Sequence, residues 1–259
     1  MKKIIFGSSI FFIIFSISYY IVIPTIMYNK EENDLDELKT IKNTEIKNID
    51  TNISNTNNDN TTTTSNNKKI NSNYDKLKKI NNDMIGWIKI DGTNIDYPVM
   101  YNKDNYDYYL NHSFYKTYSL TGVPFASKNY SSSSNNILIY AHNIKGRTMF
   151  ADLLNYNNKS FYNNNKYILF SDTNNEYKYE VISAFNSKVY YNDEKVFKYY
   201  KLDYNLNEIE FLYYIDNIKK LSIYDTGISA NYGDKLITLS TCNNIGEDGR
   251  FVLVAKKVS

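Results

Sequence analysis

The sequence is poor in the residues that hold metals or form disulfides. Its 259 residues include one cysteine, Cys242, and two histidines, His112 and His142. A single cysteine forms no intrachain disulfide and no cysteine-cluster metal site, and two histidines are too few for a three-histidine zinc site. We therefore expect no bound metal, and no motif in the sequence implies a cofactor.

The sequence also lacks a strong excess of one charge. It has 30 basic and 28 acidic residues, which gives a formal net charge of +2. This balance argues against nucleic acid as a partner, because nucleic-acid-binding proteins usually show a large basic excess. Glycine and proline are scarce, at 9 and 3 residues. Turns must therefore depend on Asn and Asp, which tolerate left-handed backbone geometry.

A long uncharged stretch lies at the N-terminus. Lys2 and Lys3 precede a mostly apolar run over residues 4–29, and acidic residues follow it. About 20 apolar residues suffice to cross a bilayer, and the positive-inside rule places the two lysines in the cytoplasm. We expect residues 1–30 to form a single-pass signal anchor in the cell membrane, with the rest of the chain extracellular. The alternative is a cleaved signal peptide, although the run ends without an Ala-x-Ala site.

Residues 31–73 are predicted to form a polar spacer. Residues 31–50 are charged and show weak helical spacing at Leu35 and Leu38. Residues 51–73 are mostly Asn, Thr and Ser, and such a stretch buries too little apolar area to offset its ordering entropy. The segment is therefore expected to hold a folded domain away from the membrane.

The remaining residues, 74–259, are long enough for one hydrophobic core and are predicted to be mainly β. Short β-branched or aromatic runs alternate with turns rich in Asn, Asp, Ser and Gly, which is typical of a barrel or a sandwich. A short amphipathic helix is expected over residues 74–83, and a longer one near Asn205, which forms a cap signal with Glu208. The predicted strands are residues 86–90, 95–99, 123–126, 137–141, 167–170, 178–185, 236–240 and 251–255.

The single cysteine follows a strand on its polar face. Side chains alternate between the two faces of a strand, so Ser240 and Cys242 share one face, and a short loop then leads to Arg250. If the two strands form a hairpin, Cys242 and Arg250 lie at neighbouring strand ends, where a cation favours the reactive thiolate. Two other interpretations stay open: Cys242 is a small buried apolar residue, or Arg250 only pairs with Glu247 or Asp248.

The two histidines differ in placement. His142 ends a predicted strand and shares a face with Leu138 and Tyr140, whereas His112 lies in a polar, tyrosine-rich segment. The pattern alone allows a structural role for either histidine, and His142 is the better placed for catalysis.

Together these residues resemble the sortase family. Residues 238–242 read Thr-Leu-Ser-Thr-Cys, which matches the sortase signature TLxTC. Residues 140–143 resemble the sortase histidine segment, with Ala141 where Gly is more common, and residues 250–256 resemble the strand that carries the sortase arginine. The resemblance is to class B sortases in particular. It lies in the serine within the signature and in residues 82–90, 95–99, 148–150 and 205–220.

The resemblance implies a fold and a reaction. The fold is mainly β, a closed eight-stranded sortase-type barrel with an N-terminal helix and one long helix between two late strands. The activity is that of a cysteine transpeptidase of Gram-positive bacteria, which cleaves a C-terminal sorting motif of surface proteins and joins the new carboxyl end to a peptidoglycan or pilin amine. By the resemblance, Cys242 forms a thioester, His142 transfers protons and Arg250 stabilises the oxyanion.

The same resemblance implies a set of residues that bind the substrate. They lie in the signature, before the histidine strand and before the long helix: Ser240, Thr241, Asn105, Leu110, Tyr199 and Tyr200.

Two other functions stay open on the sequence alone. A hydrolytic cysteine peptidase or peptidoglycan amidase would use the same Cys242 and His142 but let water resolve the acyl-enzyme, and it usually needs a third polar group to orient the histidine. A non-catalytic surface-binding module on a stalk is the second, favoured by the tyrosine content and the Asn-rich spacer.

Overall fold

The structure contains strands of very different length, from two residues to thirteen. In a computed structural model, residues 18–50, 73–144, 146, 148–243 and 248–259 are described. Their strands are β1 (Met84–Lys89), β2 (Asp96–Met100), β3 (Phe125–Ala126), β4 (Asn136–Tyr140), β5 (Asn143–Ile144), β6 (Thr148–Met149), β7 (Tyr167–Ser171), β8 (Glu176–Lys188), β9 (Leu236–Cys242) and β10 (Gly249–Lys257).

Within the described residues, eight of these strands close into a barrel. The order around the barrel is β1-β2-β3-β4-β9-β10-β8-β7, and β5 pairs with β6 in a separate hairpin. Most neighbouring strands are antiparallel, but β4 and β9 run parallel although they are far apart in sequence. Their carboxyl ends therefore meet at the same edge of the barrel.

Alternating side chains fill the barrel interior and cover its outer face. Ile139, Leu239 and Leu253 are fully buried in the interior cluster. Their neighbours Leu138 and Val252 point outward into a second buried cluster, as the two-residue period of a strand requires. All eight predicted strands occur in the barrel, so the prediction of a closed barrel is confirmed.

The helices lie outside the barrel. They are α1 (Ile23–Asp50), α2 (residues 73–80), α3 (Lys159–Asn164) and α4 (Glu208–Leu221), and a π-helical turn, Ser18–Val22, precedes α1. Short 3-10 helices occur at Tyr108–Leu110, Ala151–Asn157 and Tyr199–Lys201. Helix α2 agrees with the start of the helix predicted from residue 74, and α4 lies between β8 and β9 as the resemblance implied.

Helix α4 begins later than its sequence signal suggested. Asn207, not Asn205, is the N-cap, and its side chain and that of Glu210 form a reciprocal capping box. In this helix Ile209 is 81% exposed, whereas Phe211 is fully buried against the barrel.

Helix α1 differs from the spacer expected over residues 31–73. Leu38 is fully buried in a cluster with Leu77 of α2 and Trp87 of β1, and Lys42 pairs with Asp96 at 3.0 Å. Residues 31–50 are therefore helical, and Leu35, Leu38 and Ile41, which recur at helical spacing, pack against the barrel domain.

Two expectations about the N-terminal region lie largely outside the described residues. Residues 1–17, which carry most of the expected membrane anchor, and residues 51–72 of the expected spacer are not among them. In the part of the chain that the structure describes, none of the helices combines the length and apolar character needed to cross a membrane.

Candidate active site

Cys242 is exposed at the end of β9, directly opposite Arg250 of β10. Directly opposed residues on antiparallel strands project from the same face, with Cβ atoms about 4.5–5.5 Å apart. The expected hairpin is therefore present, and the exposure of Cys242 removes the interpretation that it is a buried apolar residue. Arg250 also donates from Nη1 to the Gly249 carbonyl at 2.9 Å.

His142 reaches the same edge through the parallel pairing of β4 with β9. Tyr140 lies opposite Ser240, two residues before His142 and Cys242. The two chains continue side by side beyond β4, because the Ala141 amide donates to the Ser240 carbonyl at 3.3 Å. Strand neighbours lie about 4.8 Å apart, so the register brings the backbones of His142 and Cys242 to the same edge of the barrel.

Two side-chain hydrogen bonds hold these strand ends together. The hydroxyl of Thr241 donates to the Ala141 carbonyl at 2.8 Å, and the Asn143 amide donates to the Cys242 carbonyl at 3.1 Å. Each bond links a residue next to the thiol with a residue next to His142. They therefore fix the separation of the two strand ends.

The histidine rings have different partners. His142 Nε2 lies 2.8 Å from the Leu110 carbonyl oxygen, and His112 Nδ1 lies 2.7 Å from the Tyr108 carbonyl oxygen. A carbonyl only accepts, so each of these nitrogens carries the hydrogen. The His112 ring also stacks on the Tyr108 ring, with 3.8 Å between the ring centres. These contacts are sufficient to account for a structural role of His112.

The polar side chains of β9 that precede Cys242 are buried under other parts of the chain and are not exposed to solvent. The Tyr199 hydroxyl and Ser240 Oγ lie 2.7 Å apart, and both residues are buried. Burial raises the pKa of the Tyr199 hydroxyl above its ordinary value. Tyr214 of α4 makes a similar 2.7 Å contact with Thr238. Ser240 and Tyr199 thus differ from their expected place in a substrate groove, because α4 and its preceding segment cover that face.

The remaining expected substrate-binding residues occupy different depths. Asn105 and Leu110 are exposed, and Leu110 lies next to His142 through its carbonyl. Tyr200 is partly buried and its hydroxyl accepts from the Tyr190 amide at 2.9 Å. Thr241 is buried, with its hydroxyl directed to Ala141 as described above.

Sequence patterns did not reveal several residues that surround the site. Asn243 donates to the Arg250 carbonyl and to the Asn186 side chain, both at 3.0 Å. Asn143 was recognised only as part of the histidine segment. Asparagine is so common in this chain that an asparagine at these two positions does not by itself indicate a role in the site. Their roles depend on strand pairing, which is a long-range property.

The arrangement suits acyl transfer. An exposed thiol, an imidazole and a guanidinium meet at one edge of the barrel, and these groups act as nucleophile, proton carrier and anion stabiliser in such chemistry. Among the described residues, no group of three or more His, Cys, Asp and Glu side chains is placed to hold a metal ion.

Comparisons with known proteins agree with this arrangement. A family model described as a sortase domain matches residues 88–258. Sortase B of Staphylococcus aureus is 32% identical over 187 residues, which cover 71% of this chain and 73% of that protein. A solved Staphylococcus aureus sortase B–substrate complex superposes with a TM-score of 0.71 at 25% identity, over 90% of this chain and 99% of that chain. The structure of Clostridium perfringens sortase B gives a TM-score of 0.62 at 31% identity, over 71% and 99%. The chain belongs to the sortase family, and it is most like the class B sortases.

Proposed function

We propose that the protein is a cysteine transpeptidase that attaches surface proteins to an amine acceptor. The observation that carries this proposal is the strand register, which brings Cys242, Arg250 and the end of the His142 segment to one edge of the barrel. Membership of the sortase family supports the same activity.

The first half of the reaction forms a thioester. Cys242 Sγ, after its proton passes to His142, attacks the carbonyl carbon of a threonine in the sorting motif. The carbon–nitrogen bond after that threonine breaks, and the leaving amine takes the proton from His142. The enzyme then carries the surface protein as a thioester on Cys242.

The second half of the reaction joins the acceptor. An amine of peptidoglycan or of a pilin attacks the thioester carbon, gives its proton to His142 and forms a new amide bond. The carbon–sulphur bond breaks, and the proton returns to Cys242. No net oxidation occurs, and neither step requires a metal or cofactor.

Arg250 is proposed to stabilise the oxygen that becomes negative in both halves of the reaction. It lies opposite Cys242 in the β9–β10 register, on the same face as the thiol. A planar guanidinium offers several donors in a fixed geometry, and such donors act most strongly on the charge that develops in the transition state.

The substrate is proposed to be a sorting motif near the C-terminus of an exported protein. A related solved structure is named as a sortase B–substrate complex, which supports this class of ligand. The exposed Asn105 and Leu110 are proposed to contact the motif, and the Leu110 carbonyl lies beside His142. The more buried Tyr199, Tyr200, Ser240 and Thr241 are proposed to shape the surrounding structure.

The protein is proposed to act outside the cell while anchored in the cell membrane. The support is the uncharged run over residues 4–29 and the two lysines before it. Protease treatment of intact cells should release a fragment that contains Cys242. Protection of that fragment would contradict this location, and a mature N-terminus near residue 28 would indicate a cleaved signal peptide.

Mass spectrometry of the full-length protein tests the activity. The probe is a peptide library that keeps one threonine and varies its neighbours, with triglycine as the amine. We expect a thioester on Cys242 without the amine and a peptide–triglycine product with it, and neither in Cys242→Ala. A thioester that yields only free acid in the presence of triglycine would indicate a hydrolase. Absence of any acyl-enzyme would favour a binding module.

A further inference from the structure

The Leu110 carbonyl makes a hydrogen bond that determines which nitrogen of His142 is available. His142 Nε2 lies 2.8 Å from this oxygen. Because a carbonyl has no hydrogen to donate, Nε2 carries the hydrogen and the lone pair of the neutral ring is on Nδ1. The contact also sets the orientation of the ring.

Gly122 supports the Leu110 carbonyl from behind. A Cβ at this position would lie 2.5 Å from the Leu110 oxygen and 2.5 Å from the Tyr109 oxygen, and its φ is +60°. The Val123 amide donates to the Tyr109 carbonyl at 3.1 Å, which keeps the two segments together. Only glycine allows this close approach of one backbone to another.

Glu31 of α1 fixes the segment that contains Gly122. Its carboxylate is buried and accepts from the Leu120 amide at 2.8 Å and from the Thr121 hydroxyl at 2.7 Å. Glu31 is separated from these residues by about ninety positions in sequence. The contact therefore links the N-terminal helix to the backbone behind the Leu110 carbonyl.

We propose that the Leu110 carbonyl, supported by Gly122 and Glu31, positions His142 for proton transfer. It holds the ring as the Nε2–H tautomer, so that Nδ1 takes the proton of Cys242 and gives it to the leaving amine. Leu110, Gly122 and Glu31 are thus positioning residues. This inference rests on the proposed transpeptidase function for its effect on turnover, but the state of the ring is independent of that function.

The first test is nuclear magnetic resonance of the full-length protein with labelled histidine nitrogens. In the neutral rings we expect hydrogen on Nε2 of His142 and on Nδ1 of His112. The chain has only these two histidines, and His112 therefore serves as an internal reference with the opposite tautomer. Hydrogen on Nδ1 of neutral His142 would overturn the proposal, whether or not the protein is a transpeptidase.

The second test compares two glycine variants that carry similar backbone strain. Gly122→Ala places a methyl group against the Leu110 carbonyl, whereas Gly227, with φ +74°, has no atom within 4 Å of its added Cβ. We expect Gly122→Ala to lower kcat by about ten- to a hundredfold with little change in KM, as misplacement of a reacting group does. It should also alter the His142 nitrogen signals. Gly227→Ala should change neither.

A milder pair of variants covers the case in which Gly122→Ala fails to fold. Glu31→Gln replaces a buried acceptor, and Glu32→Gln makes the same charge change at the next, exposed position. Only Glu31→Gln should lower kcat and shift the His142 signals, while the His112 signals stay unchanged in both. A loss of kcat with unchanged His142 signals would overturn the proposal, because it would indicate a merely structural role.

Discussion

At the scale of single residues, two side-chain hydrogen bonds hold the Cys242 and His142 segments together. Thr241 of β9 donates to the Ala141 carbonyl, and Asn143, next to His142, donates to the Cys242 carbonyl of β9. These bonds link the thiol and the imidazole through rigid strand ends rather than through flexible loops. Sites on such elements hold reacting groups more closely to the geometry that a reaction requires.

The two histidines should differ in their effect on activity. His142→Ala is expected to lower transpeptidation by about a hundredfold or more, because it removes the group proposed to transfer protons. His112→Ala should retain most of the activity, since that ring stacks on Tyr108 and bonds to the Tyr108 carbonyl. Turnover of the peptide library with triglycine measures both. Equal losses in the two variants, with the fold intact by circular dichroism, would contradict the assignment.

Arg250 should be sensitive to geometry as well as to charge. Arg250→Lys keeps the positive charge but loses the planar fork, so we expect it to lose about a hundredfold in kcat or more, as Arg250→Ala does. Alkylation of Cys242 by iodoacetamide should change much less in both variants. Near-normal turnover in Arg250→Lys would indicate that Arg250 supplies only local charge. A parallel collapse of alkylation would indicate that it activates the thiol instead.

At the scale of elements, helix α1 acts as part of the barrel domain. Leu38 is buried against α2 and β1, and Lys42 lies 3.0 Å from Asp96 and 4.6 Å from the centre of the Trp87 ring. Burial lowers the pKa of Lys42, while Asp96 opposes that shift. Helix α1 is therefore attached to the barrel domain at several points along its length.

This packing predicts a difference between two apolar positions of α1. Leu38→Ala should lower the free energy of unfolding by about 2–5 kcal/mol, because it leaves a cavity in a closed cluster. Ile26→Ala is a matched control on the same helix, since Ile26 is 62% exposed, and it should change stability by less than about 0.5 kcal/mol. Denaturant titration of both variants measures the difference. Equal small effects would indicate that α1 separates before the barrel unfolds.

At the scale of the whole molecule, tyrosine forms an unusual share of the buried volume. The chain has 27 tyrosines, and several of the largest fully buried side chains are tyrosines. Two of them bond to polar side chains of β9, Tyr199 to Ser240 and Tyr214 to Thr238, and Tyr109 donates to Asp83. Each of these tyrosines therefore contributes a large apolar ring to the core and a hydroxyl that makes a hydrogen bond. Burial favours the neutral form of that hydroxyl over the charged phenolate.

The buried tyrosines predict loss of stability at high pH. Burial raises the pKa of Tyr214 and of Tyr97 to about 12, from an ordinary value of 10.0. The unfolded chain releases these protons first, so stability is full below pH 10 and falls as pH rises from there through 12. Phenolate absorbance and circular dichroism, followed together, should show these tyrosines ionising only as the protein unfolds. Complete ionisation of all tyrosines with the fold intact would contradict this prediction.

The sequence by itself determined the strands and the nucleophile hairpin. Short β-branched or aromatic runs between turn residues located all eight barrel strands. The short loop from Cys242 to Arg250 suggested a hairpin with these two residues at neighbouring strand ends, which the strand register confirms. These features depend on local rules, namely the two-residue period of a strand and the short connection of a hairpin. The family signature at residues 238–242 is likewise local.

Only the tertiary structure decided how the distant segments meet. The parallel pairing of β4 with β9 brings the segment of His142, and not that of His112, to the end of β9 that carries Cys242. The docking of α1 brings Glu31 to the backbone behind Leu110, and α4 covers the face that the sequence presented as polar. Such contacts join residues far apart in the chain, and their stability comes from shared burial and hydrogen bonding once the barrel has closed. No local pattern encodes that choice, because it depends on which of many possible pairings leaves the fewest buried polar groups without partners.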